Sequence, residues 1–369
     1  MELSCIREKF YKALTTISRI ISIKPSLPIL GNVLLKTEKG RLKLAATDLE
    51  IGINWWIGAK IEKEGEITVP VKILTDFIGN LTSEKINLST KDLTLNIKNE
   101  TNEANIKGVS SDEFPLIPQL KEEVFISLPF SDITKAIDQV VFATSLDESR
   151  PVLSGVLFKF EEDKLKLVAT DAARLVEKTI SLPSKVSATN LVVPKRALME
   201  LARIPRENLE EEIEIKINPN QIEFDFEDLY LISRLIEGEY PNYEQIIPQS
   251  AETKVLVNLD EFSRALKIAS LFAKEAAGNV IKLQIKGGKK GEITIFTQAS
   301  GIGDNTSKIS AEVEGKDLEI LFNAKYILDV LNVLDTNEVR LEFNGKLDPA
   351  LIKPKDKEDF LYIIMPRRG

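Results

Sequence analysis

The chain of 369 residues has no histidine and one cysteine, Cys5. Without imidazole there is no Ser-His-Asp or Cys-His nucleophile and no histidine general base. Zinc sites built on histidine, or on several cysteines, are excluded with it. A lone cysteine makes no intrachain disulfide and gives no sign of an oxidising compartment, so Cys5 is expected as a small buried apolar residue. No apolar run approaches the roughly 20 residues that cross a bilayer. Met1 to Lys9 lack the layout of a signal peptide. A phosphate-binding loop of the G-x-x-x-x-G-K-[ST] type is missing, and Gly301-Ile302-Gly303 has no strand–loop–helix context for a dinucleotide. These absences predict a soluble, cytoplasmic protein with no metal centre and no cofactor.

What is present is ordinary in composition, 43% hydrophobic and 29% charged, and long enough for two or three domains. A repeat organises it. Leu27 to Asp48 aligns without a gap on Arg150 to Asp171, 123 residues later, with 12 of 22 positions identical. The offset is one third of the chain, which predicts three copies of one unit, over 1–122, 123–249 and 250–369. Val280 to Gln298 is the more diverged third copy. Each unit opens on an amphipathic helix: Phe10, Leu14, Ile17 and Ile21 in the first, Ile133, Ile137 and Val140 in the second, Phe262, Leu266, Ala269 and Phe272 in the third. A hairpin follows, turning at Glu38-Lys39-Gly40, Glu161-Glu162-Asp163 and Gly287-Gly288-Lys289-Lys290-Gly291. Val69-Pro70-Val71-Lys72, Val193-Pro194-Lys195-Arg196 and Phe322-Asn323-Ala324-Lys325 then lead from a strand into a second helix. Short polar links at Pro118 to Val124 and Pro248 to Thr253 suit boundaries.

The net charge of -8 argues against a blanket electrostatic grip on nucleic acid. Its distribution is uneven. Six helices drawn as Arg7–Ser22, Val71–Leu81, Phe130–Leu146, Pro194–Arg206, Leu259–Lys274 and Asn323–Leu334 sum to +6, leaving -14 for the remainder. A surface carrying helices is then positive, which on its own fits charges coating solvated helix faces as well as weak phosphate contact that reads no bases. The repeated Thr47-Asp48 and Thr170-Asp171 look like paired catalytic carboxylates. The repeat puts them in separate units in one structural role, as strand-end aspartates bonding local backbone.

Four segments carry a family resemblance: Leu27-Pro28-Ile29-Leu30-Gly31-Asn32, Ala46-Thr47-Asp48-Leu49-Glu50, Ala169-Thr170-Asp171-Ala172-Ala173-Arg174-Leu175 and Ile236-Glu237-Gly238-Glu239-Tyr240-Pro241. With the ending Tyr362-Ile363-Ile364-Met365-Pro366-Arg367-Arg368 they resemble the bacterial β sliding clamps, the processivity subunit of DNA polymerase III. The likeness runs in order along the whole chain. It implies an α+β fold of three clamp domains, each with two helices packed on antiparallel sheets. It also implies a head-to-tail homodimer, a six-domain ring closing around double-stranded DNA irrespective of sequence, and no enzymatic activity. By the resemblance Lys12, Lys24, Arg150, Lys195, Arg196 and Arg203 face DNA. A cleft between the second and third domains takes short linear peptides of the replicative polymerase, the clamp loader and repair proteins. Its matching positions are Leu153, Thr170, Arg174, Leu175, Pro241, Ile246, Asn323, Tyr326, Leu347, Ile363, Ile364, Met365, Pro366 and Arg367. Ile106, Leu271 and Phe272 match the ring contact.

Two departures stand out. The family often has Gly-His before the arginine of the cleft, where this chain has Ala172-Ala173. The tail is Arg367-Arg368-Gly369, a more basic rim that favours acidic peptides. Two other readings compete: a docking scaffold with the same repeats that does not encircle DNA, and an α/β enzyme using Asp48 and Asp171. The basic residues named count against the first, and the scarcity of helices against the second.

Overall fold

The computed structural model describes the chain apart from residues 22–25, 148, 276 and 369. Six helices stand among the described residues: α1 (Arg7–Ser18), α2 (Val71–Gly79), α3 (Phe130–Val140), α4 (Lys195–Ala202), α5 (Leu259–Ala273) and α6 (Ala324–Leu331). They pack on two twelve-stranded antiparallel sheets. The apolar spacing read from sequence is the buried face. Phe10, Leu14 and Ile17 of α1, Ile133, Ile137 and Val140 of α3, and Phe262, Leu266 and Ala269 of α5 are fully buried, each of the larger ones contributing about 1.5–3 kcal/mol by leaving water. Period-two burial governs the strands, as in Glu2–Ile6, where Leu3 and Cys5 point inward. Burial pushes the Cys5 thiol up to about 12.

The helices are shorter than their sequence patterns. α1 stops before Arg19 and α4 before Arg203 and Arg206, and Ile21 lies past the end of its helix. The helices as folded carry +2, 0, -1, +1, 0 and 0, so their sum is +2 rather than +6. Part of the missing charge is neutralised nearby: Arg19 pairs with Glu200 at 2.8 Å, and Arg206 with Asp228 at 2.6 Å.

The turn Glu38-Lys39-Gly40-Arg41 is a two-residue hairpin loop, with φ of 52° at Lys39 and 74° at Gly40. Its third-copy counterpart is a longer hairpin loop, residues 287–291, closed by Lys286 opposite Glu292, and it also meets a third strand. The strand Gly288–Ala299 starts inside the Gly-Lys segment and shifts register between Gly288 and Gly291 against Gly303–Gly315. Gly291 sits so close to Val313 that a Cβ there would lie 2.6 Å from Cγ2, which suits the bulge against that strand.

Two compact units result: Met1–Thr134 with Arg196–Leu235, and Lys135–Lys195 with Ile236–Gly369. They cut across the sequence repeats because the repeats are joined by strand pairing. In the first unit Ile51–Trp55 pairs antiparallel with Leu229–Ser233. In the second Arg174–Lys178 pairs with Phe360–Ile364 in the same relative register. No helix among the described residues is long and apolar enough to cross a membrane.

Candidate functional site

Each joint between repeats starts from one turn. Thr47 Oγ1 donates to the Ile51 carbonyl at 2.8 Å, while Asp48 Oδ1 accepts from the Glu50 and Ile51 amides at 3.0 and 2.8 Å. Thr170 and Asp171 repeat this with Arg174 and Ala173, at 2.6, 3.0 and 3.0 Å. Both aspartates therefore shape local backbone in the same structural role. The third residue of each turn is left-handed, with φ of 79° at Leu49 and 70° at Ala172. The next residue's carbonyl then accepts the neighbouring repeat's amide: Arg234 to Glu50 and Met365 to Ala173, both at 2.9 Å.

At the second joint the turn delivers Arg174 into a fully partnered setting. Its guanidinium donates to Asp171 at 2.9 Å, Asp329 at 2.7 Å and the Phe142 carbonyl at 2.9 Å. It also lies over the rings of Tyr326, 4.4 Å from the centroid, and Phe142, at 5.3 Å. Burial opposes its charge, but the Asp329 hydrogen bond and the charges around it more than offset that, and its pKa is raised. Beside it Leu175 stands opposite Ile363, and Thr170 opposite Leu175. Leu175 and Ile363 belong to one apolar cluster with Leu157, Tyr243 and Leu351. Tyr362 buries its ring under the joint and donates to the Tyr326 carbonyl at 2.9 Å.

Of the predicted cleft residues, Thr170, Arg174, Leu175, Tyr326, Ile363, Ile364 and Met365 are thus joined by direct bonds, pairing or ring contact. Leu153, Leu175, Ile363 and Ile364 are buried, whereas Ile246, Leu347 and Met365 are exposed apolar side chains. Pro241 is exposed, Pro366 half-buried, and Asn323 caps α6 by accepting from the Lys325 amide at 2.9 Å. Arg367 is exposed and anchored by its amide on the Leu321 carbonyl at 2.8 Å. Sequence reasoning missed Leu146, 88% exposed and next to Ser145, whose amide bonds the Leu153 carbonyl. A lone leucine between polar residues has no periodicity to reveal it. It also missed Asp329 and Phe142, which only the folded chain brings to Arg174.

Of the residues expected to face DNA, Arg150 and Arg203 are exposed and Lys12 is half-buried. Lys195 is half-buried too, and burial followed by the Arg174 and Lys325 charges lowers its pKa. Arg196 is already engaged, by Asp48 and the Ile20 carbonyl. Lys24 lies outside the described residues. Of the ring-contact residues, Leu271 is 65% exposed, Phe272 half-buried, and Ile106 only 8% exposed, packed in its own sheet opposite Leu95.

Three family models match the chain in order: DNA polymerase III beta subunit, N-terminal domain, over 1–118, central domain over 127–242, and C-terminal domain over 244–368. The beta sliding clamp of Staphylococcus epidermidis is 33% identical, covering 100% of this chain and 99% of its own. That of Synechococcus elongatus is 31% identical, with 99% of each covered. Among solved structures, the DNA polymerase sliding clamp of Bacillus subtilis matches with a TM-score of 0.95 at 30% identity over 100% of this chain and 99% of that one. The DNA polymerase III beta chain of Streptococcus pneumoniae matches with 0.95 at 28% identity over 100% of both.

Proposed function

The chain belongs to the DNA polymerase III beta subunit family, the non-catalytic sliding clamps, and from that premise we propose how its own residues do the work. Two copies close head to tail into a ring around duplex DNA in the cytoplasm, and partners dock in the cleft around Arg174. The repeats, 1–122, 123–249 and 250–369, supply three of the six steps.

One observation carries this reading. The joint between repeats is built twice in one register, and the same parts are left over at the two ends. Glu103–Lys107 corresponds to Leu229–Arg234 and Phe360–Ile364, yet pairs only with Thr94–Lys98 and ends its sheet. The first residues of Gly303–Gly315 correspond to Ile51–Trp55 and Arg174–Lys178, yet pair on one side only, with Gly288–Ala299. An unpaired strand edge is a template for another chain. Joining these two edges between copies repeats the joint a third time, a heterologous contact that closes when its rotation is right. Leu271 and Phe272 flank that contact, while Ile106 supports it from beneath.

A ring holds DNA by topology, so its lining needs only a weak, salt-screened attraction. Lys12, Lys24, Arg150, Lys195 and Arg203 supply it, and Arg196, occupied by Asp48, supplies less. The cleft joins a buried floor to exposed Ile246, Leu347 and Met365, suiting a peptide with a few apolar anchors; methionine repacks for different ligands.

Retention on DNA tests the reading. The protein is loaded on nicked circular DNA by a clamp loader with ATP and washed in high salt, and half the sample is cut to linear. The ring predicts protein that stays on circles and runs off linear DNA. Equal loss from both leaves the docking scaffold as the better account.

A further inference from the structure

The two joints inside the chain share a feature that the third position lacks. Twelve residues beyond the starts of α1, α3 and α5 stand Arg19, Phe142 and Leu271. Five residues into α2, α4 and α6 stand Asp76, Glu200 and Asp329. At the first joint Arg19 meets Glu200 at 2.8 Å and the Arg203 carbonyl at 3.1 Å, and Arg196 meets Asp48. At the second, Phe142 occupies the place of Arg19, and the arginine arrives from the turn instead: Arg174 bonds Asp329, Asp171 and the Phe142 carbonyl. Both joints thus place one arginine hydrogen bond on a carboxylate five residues into the second helix, the rest of the guanidinium bonding neighbouring groups. The side chains are partly shielded, Arg19 and Glu200 at 29% and 10% exposed and Arg174 and Asp329 at 7% and 20%, and charge-assisted hydrogen bonds gain strength where water is held off.

At the ends left for a second copy the lock is gone. The turn position of Asp48 and Asp171 is Ala299, the strand position of Arg174 is Gly303, and the helix position of Arg19 is Leu271. Asp76 remains, exposed, on the opposite end. We propose that arginine–carboxylate locks make the two intrachain joints permanent, and that the joint between copies is the same joint built without one. It therefore opens while the chain's own joints hold. This rests on the head-to-tail reading and adds to it which residues set the difference.

The test installs the missing lock and removes an existing one. Leu271→Arg puts a guanidinium opposite Asp76 of the partner subunit, at an exposed position that folding tolerates. Subunit exchange between isotopically heavy and light pools, followed by native mass spectrometry, is expected to slow by about tenfold. Asp76→Ala in the Leu271→Arg background is expected to abolish that slowing. Exchange that is not slowed, or is slowed equally without Asp76, overturns the proposal. Absence of any dimer in the unsubstituted protein refutes the ring itself. Independently of dimerisation, Arg19→Leu is expected to speed amide hydrogen exchange of Ile51–Trp55 and Leu229–Ser233 by about tenfold or more. Unchanged exchange there overturns the locking role.

Discussion

At the scale of single residues, the left-handed turn positions are the clearest place to measure a cost. Ala172 sits at φ 70° and Leu49 at 79°, where a Cβ crowds the following carbonyl. Glycine relieves the strain but loses more freedom on folding, so Ala172→Gly is expected to raise unfolding stability by about 0.5–1 kcal/mol in urea titration. Leu49→Gly should act in the same direction, and a loss at both would contradict the shared turn. Arg174 behaves oppositely. A lysine keeps the charge but has no planar fork for Asp171, Asp329 and the Phe142 carbonyl together. Arg174→Lys is expected to cost about 1–3 kcal/mol and to weaken peptide binding, read by calorimetry. At the rim, exposed Arg367 predicts selective loss: Arg367→Ala should weaken an acidic peptide at low salt, and the difference should fade as salt rises. Equal affinities at low salt would reject an acidic preference. Cys5 is the quiet residue. Its thiol pKa of about 12 leaves almost no thiolate in the folded protein at neutral pH. The unfolded thiol ionises first as pH rises past its ordinary value of 9.0, so this group favours unfolding between there and about 12.

At the scale of elements, the strands at the first joint are held by a close fit as well as by charge. A Cβ on Gly52 would lie 2.6 Å from Ile117 Cγ2 and 3.2 Å from Ile232 Cγ2. Ile117 belongs to the closing segment of the first repeat, tied down by Tyr230 through the Ile117 carbonyl at 3.3 Å and by Glu223 through the Leu120 amide at 2.8 Å. Gly52→Ala is therefore expected to destabilise by about 1–3 kcal/mol, and Ile117→Ala in that background should recover part of the loss. Non-additive recovery is the signature; strict additivity would place the strain elsewhere. What could be read from sequence follows the same division. The helix faces, the hairpins and the Thr-Asp turns depend on residues within one element, and periodicity shows them. The contacts that matter at the joints do not. Arg196 reads as a surface cation on a basic helix until Asp48, 148 positions away, is found bonded to it. For Ile106 the sequence leaves an interface position and burial in its own sheet both open, and only the folded strand shows it 8% exposed. The helices end short of the sequence pattern because the charged residues after α1 and α4 continue that pattern while the last turn tightens, the Arg19 amide bonding Thr16 and the Arg203 amide bonding Glu200, three residues back.

At the scale of the whole molecule, the repeat dictates which residues of two copies must meet. In the first joint Leu231 faces Ile53, and in the second Tyr362 faces Val176. Working outward through the neighbouring pairings, Ala104 holds the place of Leu231, since it faces Ile97 as Leu231 faces Phe224. Asn305 holds the place of Ile53, since it faces Thr297 as Ile53 faces Ala46. Ala104 of one copy should then lie directly across from Asn305 of the next. Facing residues of an antiparallel pair have Cα atoms about 4.5–5.5 Å apart, inside the range a disulfide spans. The double variant Ala104→Cys with Asn305→Cys should cross-link under mild oxidation into a covalent dimer, with two bonds per ring because the head-to-tail contact occurs twice. Buried Cys5 gives no competing reaction, so each single variant serves as a silent control. Shifting one partner to Thr306 should fail, since a one-residue slip sends the side chain to the other face. A ring sealed this way should no longer load onto closed circular DNA yet should still thread onto linear DNA from its ends. Efficient cross-linking through Thr306 but not Asn305 would mean that the third joint departs from the register of the other two.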